Sequence, residues 1–120
     1  MTARDDRFRT TVVDGGALGA AAIHGTTRAV LAGYDHEQVV PPGVLDLLLG
    51  TVRPSGPLTR ACGGAPPSAA RELFLSGRDR ATYLSVLPHG EVIVLATPVT
   101  MSVALGWALI RRLIAASGEP

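Results

Sequence analysis

Residues 71–118 have the sequence RELFLSGRDRATYLSVLPHGEVIVLATPVTMSVALGWALIRRLIAASG, in which three short apolar runs precede one amphipathic segment. Turn-forming residues at 77–79 and at 88–90 separate the three runs. Short apolar runs divided in this way are typical of an antiparallel β-meander, whereas the last segment has the apolar spacing of a helix. We therefore predict three consecutive strands followed by a C-terminal helix.

Two further strands are predicted near the start of the chain, at residues 17–23 and 28–34, joined as a hairpin by turn residues. The first of these, ALGAAAI, has no polar alternation, which is typical of a strand covered on both faces inside a sheet; residues 92–96 have the same character. The run at 71–76 begins instead with two charged residues and is better suited to a sheet edge. The sequence therefore predicts an α/β (α+β) domain whose five-stranded antiparallel sheet is flanked by helices.

The predicted C-terminal helix has more apolar surface than one sheet can cover. Its sheet-facing stripe, at helical spacing, comprises Val103, Gly106, Trp107, Ile110, Leu113 and Ile114. Trp107 and Ile110 are the expected core anchors of this stripe. Leu105 and Leu109 lie away from it, so we expect a second helix or a second protein chain to cover the remaining apolar face.

A chain of 120 residues has the usual length of one domain. We assign residues 17–118 to that single domain and residues 1–16 to an N-terminal segment that is either a short helix or disordered. Between the hairpin and the meander, residues 35–70 have the least regular pattern. A helical turn or two is predicted there after a pair of prolines, and its apolar residues are Val44, Leu45, Leu47, Leu48 and Leu49.

Composition and charge exclude several classes of protein. All eleven basic residues are arginine, they are scattered, and the formal net charge is +1, whereas nucleic-acid-binding domains usually cluster positive charge on one face. Cys62 is the single cysteine, which argues against a disulfide framework or a thiolate metal site and fits a cytoplasmic protein. The N-terminal residues lack the apolar core of a signal peptide. Residues 92–110 carry no charge, but Pro98 interrupts them, so we expect no membrane span.

Reactive side chains do not form a recognisable catalytic or metal-binding pattern. His24, His36 and His89 fall in three separate predicted loops without metal-ligand spacing, and no serine lies in a G-x-S-x-G context. The acid–imidazole–acid run at 35–37 is a candidate for base catalysis, but a solvated loop explains it more simply. The Gly-rich residues 14–19 precede a strand instead of joining a strand to a helix, so they do not predict a dinucleotide site. We predict no catalytic residue, cofactor or metal, and hence a protein that is not an enzyme.

Taken in order, these segments resemble the Roadblock (dynein light-chain) family in its bacterial form. The residues that carry the likeness are GAAAI at 19–23, RELFL at 71–75, YLSVL at 83–87, EVIVLA at 91–96 and the helix around 105–107. The chain departs from the family in having few residues before its first strand. It also carries Pro54 and Pro57 where family members have an unbroken central helix.

This resemblance implies a Roadblock/profilin-like fold and a non-enzymatic scaffold that forms homodimers and regulates small Ras-like GTPases. It also implies that the third strands of two protomers pair into one continuous sheet, that their central helices pack together, and that a sensor-kinase-like protein is a further partner. The residues themselves agree with an interface, because an edge strand offers backbone donors and acceptors to another chain. The expected interface residues are Arg71, Glu72, Phe74, Leu45, Leu48 and Leu49.

A different function is open on the same scaffold. A small-ligand-sensing domain with a profilin-like fold would hold its ligand between the sheet and the irregular residues 35–70. A cavity of about 300 Å³ or more with convergent polar groups would favour this alternative. A dimer in solution would favour the scaffold.

Overall fold

The computed structural model describes residues 3–35, 39, 72–87 and 90–117. These residues form two helices and five strands, in the order α1 (Ala3–Gly15), β1 (Gly19–Ile23), β2 (Val30–Tyr34), β3 (Glu72–Ser76), β4 (Arg80–Val86), β5 (Val92–Pro98) and α2 (Val103–Ser117). The order of these elements agrees with the hairpin, meander and terminal helix expected from the sequence.

The strands form one antiparallel sheet in the order β2-β1-β5-β4-β3. The two strands without polar alternation, β1 and β5, lie side by side inside the sheet, with Gly19 opposite Ala96 and Ile23 opposite Val92. β2 and β3 occupy the two ends of the strand order. The prediction of a five-stranded antiparallel sheet flanked by helices is therefore confirmed, including the edge position of β3.

The first helix is longer than its local sequence suggests. The β-branched residues at 10–13 disfavour helix, yet α1 continues to Gly15. Phe8, Thr11 and Val12 are buried along one side of it, and this tertiary burial outweighs the small propensity cost. A Schellman motif ends the helix: Gly16 has a φ of 78°, and the amide of Ala17 donates to the Val12 carbonyl at 3.0 Å.

The C-terminal helix begins at a serine cap. The Ser102 hydroxyl accepts a hydrogen bond from the amide of Leu105 at 3.2 Å, which satisfies one of the unpaired donors of the first turn. Leu109 is buried, although its spacing places it off the sheet-facing stripe. The reason is that α1 covers this side of α2, because the missing side chain at Gly15 leaves room for the Leu109 methyl groups. α1 therefore covers the Leu109 side of the apolar surplus, whereas Leu105 stays exposed.

Buried apolar side chains form two clusters, one on each face of the sheet. The cluster under the helices contains buried residues from both helices and from all strands except β3, among them Phe8, Val12, Ala20, Ala22, Tyr83, Ile93, Leu95, Leu109, Ile110 and Leu113. The cluster on the opposite face consists of Ala21, Ile23, Leu84, Val92 and Val94. The core is largely aliphatic, as a chain with only 4% aromatic residues requires. Neither described helix has the length and apolar character needed to cross a membrane.

Candidate protein interaction surface

The two edges of the sheet differ in how their outward backbone groups are satisfied. Along β2, Gly33 lies opposite Ala21, and its amide points away from the sheet. This amide donates to the Asp5 carboxylate of α1 at 2.9 Å. The N-terminal helix therefore blocks a backbone donor that would otherwise be open to another strand.

The β3 edge has a register that can be worked out from the hairpin at its end. The amide of Gly77 donates to the Arg80 carbonyl at 2.9 Å, which makes these two residues a hydrogen-bonded pair. Bonded and non-bonded pairs alternate along an antiparallel ladder. The backbone groups of Glu72, Phe74 and Ser76 consequently point outward, away from β4. Within the described part of the chain, no hydrogen bond reaches these three outward positions.

Three aromatic rings stand beside this edge on the helical face of the sheet. Phe74 lies opposite Tyr83 on β4, with ring centroids 4.9 Å apart. Tyr83 in turn meets Trp107 of α2 edge to face at 5.0 Å, a geometry that aromatic pairs prefer. Tyr83 is fully buried, whereas Phe74 and Trp107 are partly exposed. Among the described residues, α2 therefore covers Tyr83 fully and leaves Phe74 and Trp107 partly exposed beside the β3 edge.

Gly106 explains how Tyr83 fits beneath α2. A Cβ atom at position 106 would overlap the Cζ and hydroxyl oxygen of Tyr83 and lie 2.6 Å from its Cε1. The glycine is therefore required for the close approach of helix and ring. An isolated glycine within a helical pattern is the signal for such an approach, but the sequence does not indicate its partner.

The Tyr83 hydroxyl is buried. It makes no hydrogen bond to any residue that the structure describes, and the nearby Thr97 hydroxyl is directed to the Pro98 carbonyl at 3.2 Å. Burial raises the pKa of Tyr83, and the Thr97 hydroxyl, which lies near the phenol without meeting hydrogen-bond geometry, offsets this only in part. A neutral phenol so enclosed is suited to packing and is unsuited to acid–base chemistry near neutral pH.

Exposed apolar side chains lie at the end of the sheet where β3 finishes. Ser76 pairs with Ala81 and Arg80 pairs with Pro98, so the ends of β3 and β5 and the start of α2 lie at the same end. The exposed large apolar residues from these segments are Leu75, Val99, Val103 and Leu105.

We name the outward backbone of β3, with Phe74 and Trp107, the β3 surface.

The site residues expected from the sequence fall into three groups. Glu72 is exposed and Phe74 is partly buried, both on the β3 surface. Ile110 lies in the helix-side core, and Trp107 packs at its rim against Tyr83. The remaining expected interface residues lie outside the described residues: Arg71, Leu45, Leu48 and Leu49. Their role stays a prediction.

Cavities are present on the described surface, but no metal cluster is. A groove of about 500 Å³ runs between α1 and α2, and a smaller cavity of about 250 Å³ lies beside the loops at His24 and Gly90. Across residues 3–35, 39, 72–87 and 90–117, no group of three or more His, Cys, Asp or Glu side chains is placed to hold a metal ion. The ligand site considered between the sheet and residues 35–70 falls mostly outside the described residues.

Comparison with known proteins identifies the fold. No family model matches the sequence, and no curated protein matches it. Among solved structures, MglB of Myxococcus xanthus is 16% identical, with a TM-score of 0.68 over 94% of this chain and 89% of that one. The gliding protein MglB of Thermus thermophilus is 19% identical, with a TM-score of 0.67 over 97% of this chain and 89% of that one.

A third structure carries the family name that the sequence resemblance suggested. A Roadblock/LC7 domain from Streptomyces avermitilis is 15% identical, with a TM-score of 0.58 over 91% of this chain and 90% of that one. The chain therefore has a fold of the bacterial Roadblock type. At these identities, the likeness establishes the fold and leaves the function to be argued from the surface.

Proposed function

We propose that this chain, with its Roadblock-type fold, is a non-enzymatic homodimeric scaffold or regulatory module that binds a small Ras-like GTPase. The observation that carries the proposal is the β3 surface, where the outward backbone groups of Glu72, Phe74 and Ser76 have no partner among the described residues. The opposite edge is guarded by Asp5. Of the two described edges, β3 is therefore the one at which we expect a second strand to add.

A two-fold axis allows β3 to pair with its own copy. Antiparallel pairing places each strand's outward donors against the other strand's outward acceptors. A strand of five residues supplies only a few such bonds, so a stable dimer, with an interface of at least about 1,000 Å², also needs apolar contact. Phe74 offers this contact on the described surface, and we propose Arg71, Leu45, Leu48 and Leu49 as the additional interface residues.

The GTPase partner is proposed from the Roadblock resemblance together with the MglB-like fold. Members of this family regulate small Ras-like GTPases without catalytic residues of their own. A sensor-kinase-like protein is a second proposed partner, and a cytoplasmic location fits both. A groove of about 500 Å³ is large enough for a small ligand, but it lies between α1 and α2 and not between the sheet and residues 35–70, where the ligand-sensing alternative places its site.

Multi-angle light scattering at micromolar concentration tests the homodimer. We expect the wild-type chain to have twice the mass of one protomer. Ser76→Pro removes an outward N–H from an exposed position at the edge, where proline is tolerated within the monomer, and it should shift the mass toward the monomer. Ser76→Ala keeps the N–H and should leave the dimer intact. A monomeric wild-type chain would refute the homodimer.

Binding to GTPases tests the remaining part of the proposal. Small Ras-like GTPases from the same organism are loaded with a GTP analogue or with GDP, and their affinity for the dimer is measured by calorimetry. We expect at least one GTPase to bind with a preference for one nucleotide state. If the dimer is intact and none of these GTPases binds, the dimeric scaffold stands and the GTPase assignment is wrong.

A further inference from the structure

The groove between α1 and α2 is a second candidate surface, and none of the residues that line it belongs to β3. It has a volume of about 500 Å³ and is lined by Asp6, Arg7, Thr10, Thr11, Arg112 and Ala115. The two helices pack closely where Gly15 meets Leu109. The groove forms elsewhere along them because small side chains line it, among them Thr11 and Ala115. Its volume lies within the range of sites that hold a ligand or several side chains of a partner.

Charge in the groove is uneven. The Asp6 carboxylate already has a cation beside it, since Arg9 lies 3.8 Å away on the next turn of α1. Arg7 and Arg112 are exposed, one on each helix. Neither forms an ion pair with a carboxylate in the described part of the chain. The groove therefore presents an uncompensated arginine from each of its two helices.

We propose that this groove binds an acidic segment of a partner protein, seated as an amphipathic helix along the two helices. Carboxylates of the segment would pair with Arg7 and Arg112, because guanidinium groups bind carboxylates with strong, charge-assisted hydrogen bonds. Its small apolar side chains would lie over Thr11 and Ala115. A helix laid in a groove between helices is a common recognition mode.

Other anionic partners fit the groove less well. Nucleic-acid binding of ordinary strength uses several phosphate contacts, about 6–10 in well-studied cases, and attraction to an anionic membrane uses clusters of about 4–8 basic residues. Two arginines and one aspartate supply neither. A protein segment with a few acidic residues matches this small positive charge.

Fluorescence anisotropy with a defined probe tests the site. The probe is a fluorescein-labelled helical peptide of Glu, Ala and Leu with blocked ends, and its matched control has Gln in place of Glu. We expect the wild-type chain to bind the Glu peptide and to bind the Gln peptide at least about tenfold more weakly. Binding should weaken further between about 50 and 200 mM salt, since exposed charges are screened.

Three arginine variants locate the binding. Arg7→Gln and Arg112→Gln should each reduce affinity for the Glu peptide about tenfold, the effect of losing one charge-assisted bond. Arg111→Gln is the matched control, because Arg111 is also exposed on α2 and does not line the groove; it should change affinity less than about twofold. Circular dichroism confirms that each variant is folded.

Several results would overturn the proposal. These are equal losses for Arg111→Gln and Arg112→Gln, equal affinity for the Glu and Gln peptides, or no binding by the wild-type chain at about 1 mM. Tighter binding to duplex DNA or to anionic vesicles, with the same dependence on Arg7 and Arg112, would assign the groove to that partner instead. The Ser76→Pro variant should bind the Glu peptide normally, so the groove and the dimer can fail independently.

Discussion

For Gly106→Ala, helix propensity and tertiary structure predict opposite changes in the free energy of unfolding. Within a helix, alanine is favoured over glycine by about 1 kcal/mol, so propensity alone predicts a more stable protein. The structure places the new methyl group on ring atoms of Tyr83, 2.6 Å from Cε1. This ring is fully buried between α2 and the sheet, so it has little room to move aside.

The expected magnitude follows from these two terms. Overpacking a close-packed site typically costs about 1–3 kcal/mol, and the upper end applies because the neighbour is a rigid buried ring. Subtracting the gain of about 1 kcal/mol in helix propensity leaves a net loss of about 2 kcal/mol. Against a total stability of roughly 5–15 kcal/mol, the variant should still fold, with a melting temperature lower by about 8 °C.

Urea unfolding followed by the fluorescence of Trp107 measures this loss, since Trp107 is the single tryptophan and contacts Tyr83. Ala108→Gly, at an exposed position of the same helix, calibrates the propensity term and should cost about 1 kcal/mol. In a Tyr83→Leu background the ring is absent, and Gly106→Ala should then stabilise the protein. A stabilising effect of Gly106→Ala in the wild-type chain would refute the close approach of helix and ring.

Three other substitutions test contacts that the sequence did not reveal. Because burial raises the pKa of Tyr83, the unfolded chain loses the phenol proton above about pH 10 while the folded chain retains it, so stability falls as pH rises. Tyr83→Phe should reduce this fall in urea unfolding between about pH 9 and 11, and an unchanged pH dependence would contradict the burial. Glu91→Gln should lower the free energy of unfolding by about 1–3 kcal/mol at neutral pH, because it leaves the partly buried Arg4 without its carboxylate. Adding Arg4→Gln to this variant should restore part of that stability. If the two substitutions instead lower stability additively, the ion pair does not contribute. Asp5→Ala should speed hydrogen exchange of the Gly33 amide, because it removes the carboxylate that accepts from this amide. Asp5→Asn keeps an acceptor oxygen and should speed the exchange less. Equal exchange rates in both variants and the wild type would show that the hydrogen bond to Asp5 does not protect this amide.

Features that depend on local pattern were predictable from the sequence. The meander strands are apolar runs bounded by turns, and the turns form because residues such as Gly90, with a φ of 99°, adopt backbone conformations that other residues disfavour. The absence of polar alternation in β1 and β5 indicated interior strands, and the charge at the start of the β3 run indicated an edge. These properties follow from the chemistry of neighbouring residues, so one segment suffices to show them.

Two local inferences gave incomplete pictures for a common reason. The β-branched residues of α1 suggested a shorter helix, and the spacing of Leu109 suggested a position off the core. Burial of Val12 against the sheet sustains α1, and the packing of α1 beside α2 buries Leu109. In both cases, a neighbour distant in sequence supplied the deciding free energy.

The contacts that give each edge of the sheet its character were decided only by the tertiary structure. Asp5 reaches the Gly33 amide across 28 positions of sequence, and Arg4 pairs with Glu91 across 87. Tyr83 finds its space under Gly106 because β4 and α2 stack there. The spacing of residues indicates the periodicity of one helix or strand, but it does not indicate which other element packs against it. The sequence by itself therefore determined the strands, the turns and the edge position of β3. The tertiary structure alone decided which side chains cap the β2 edge, fill the space under α2 and pair across the fold.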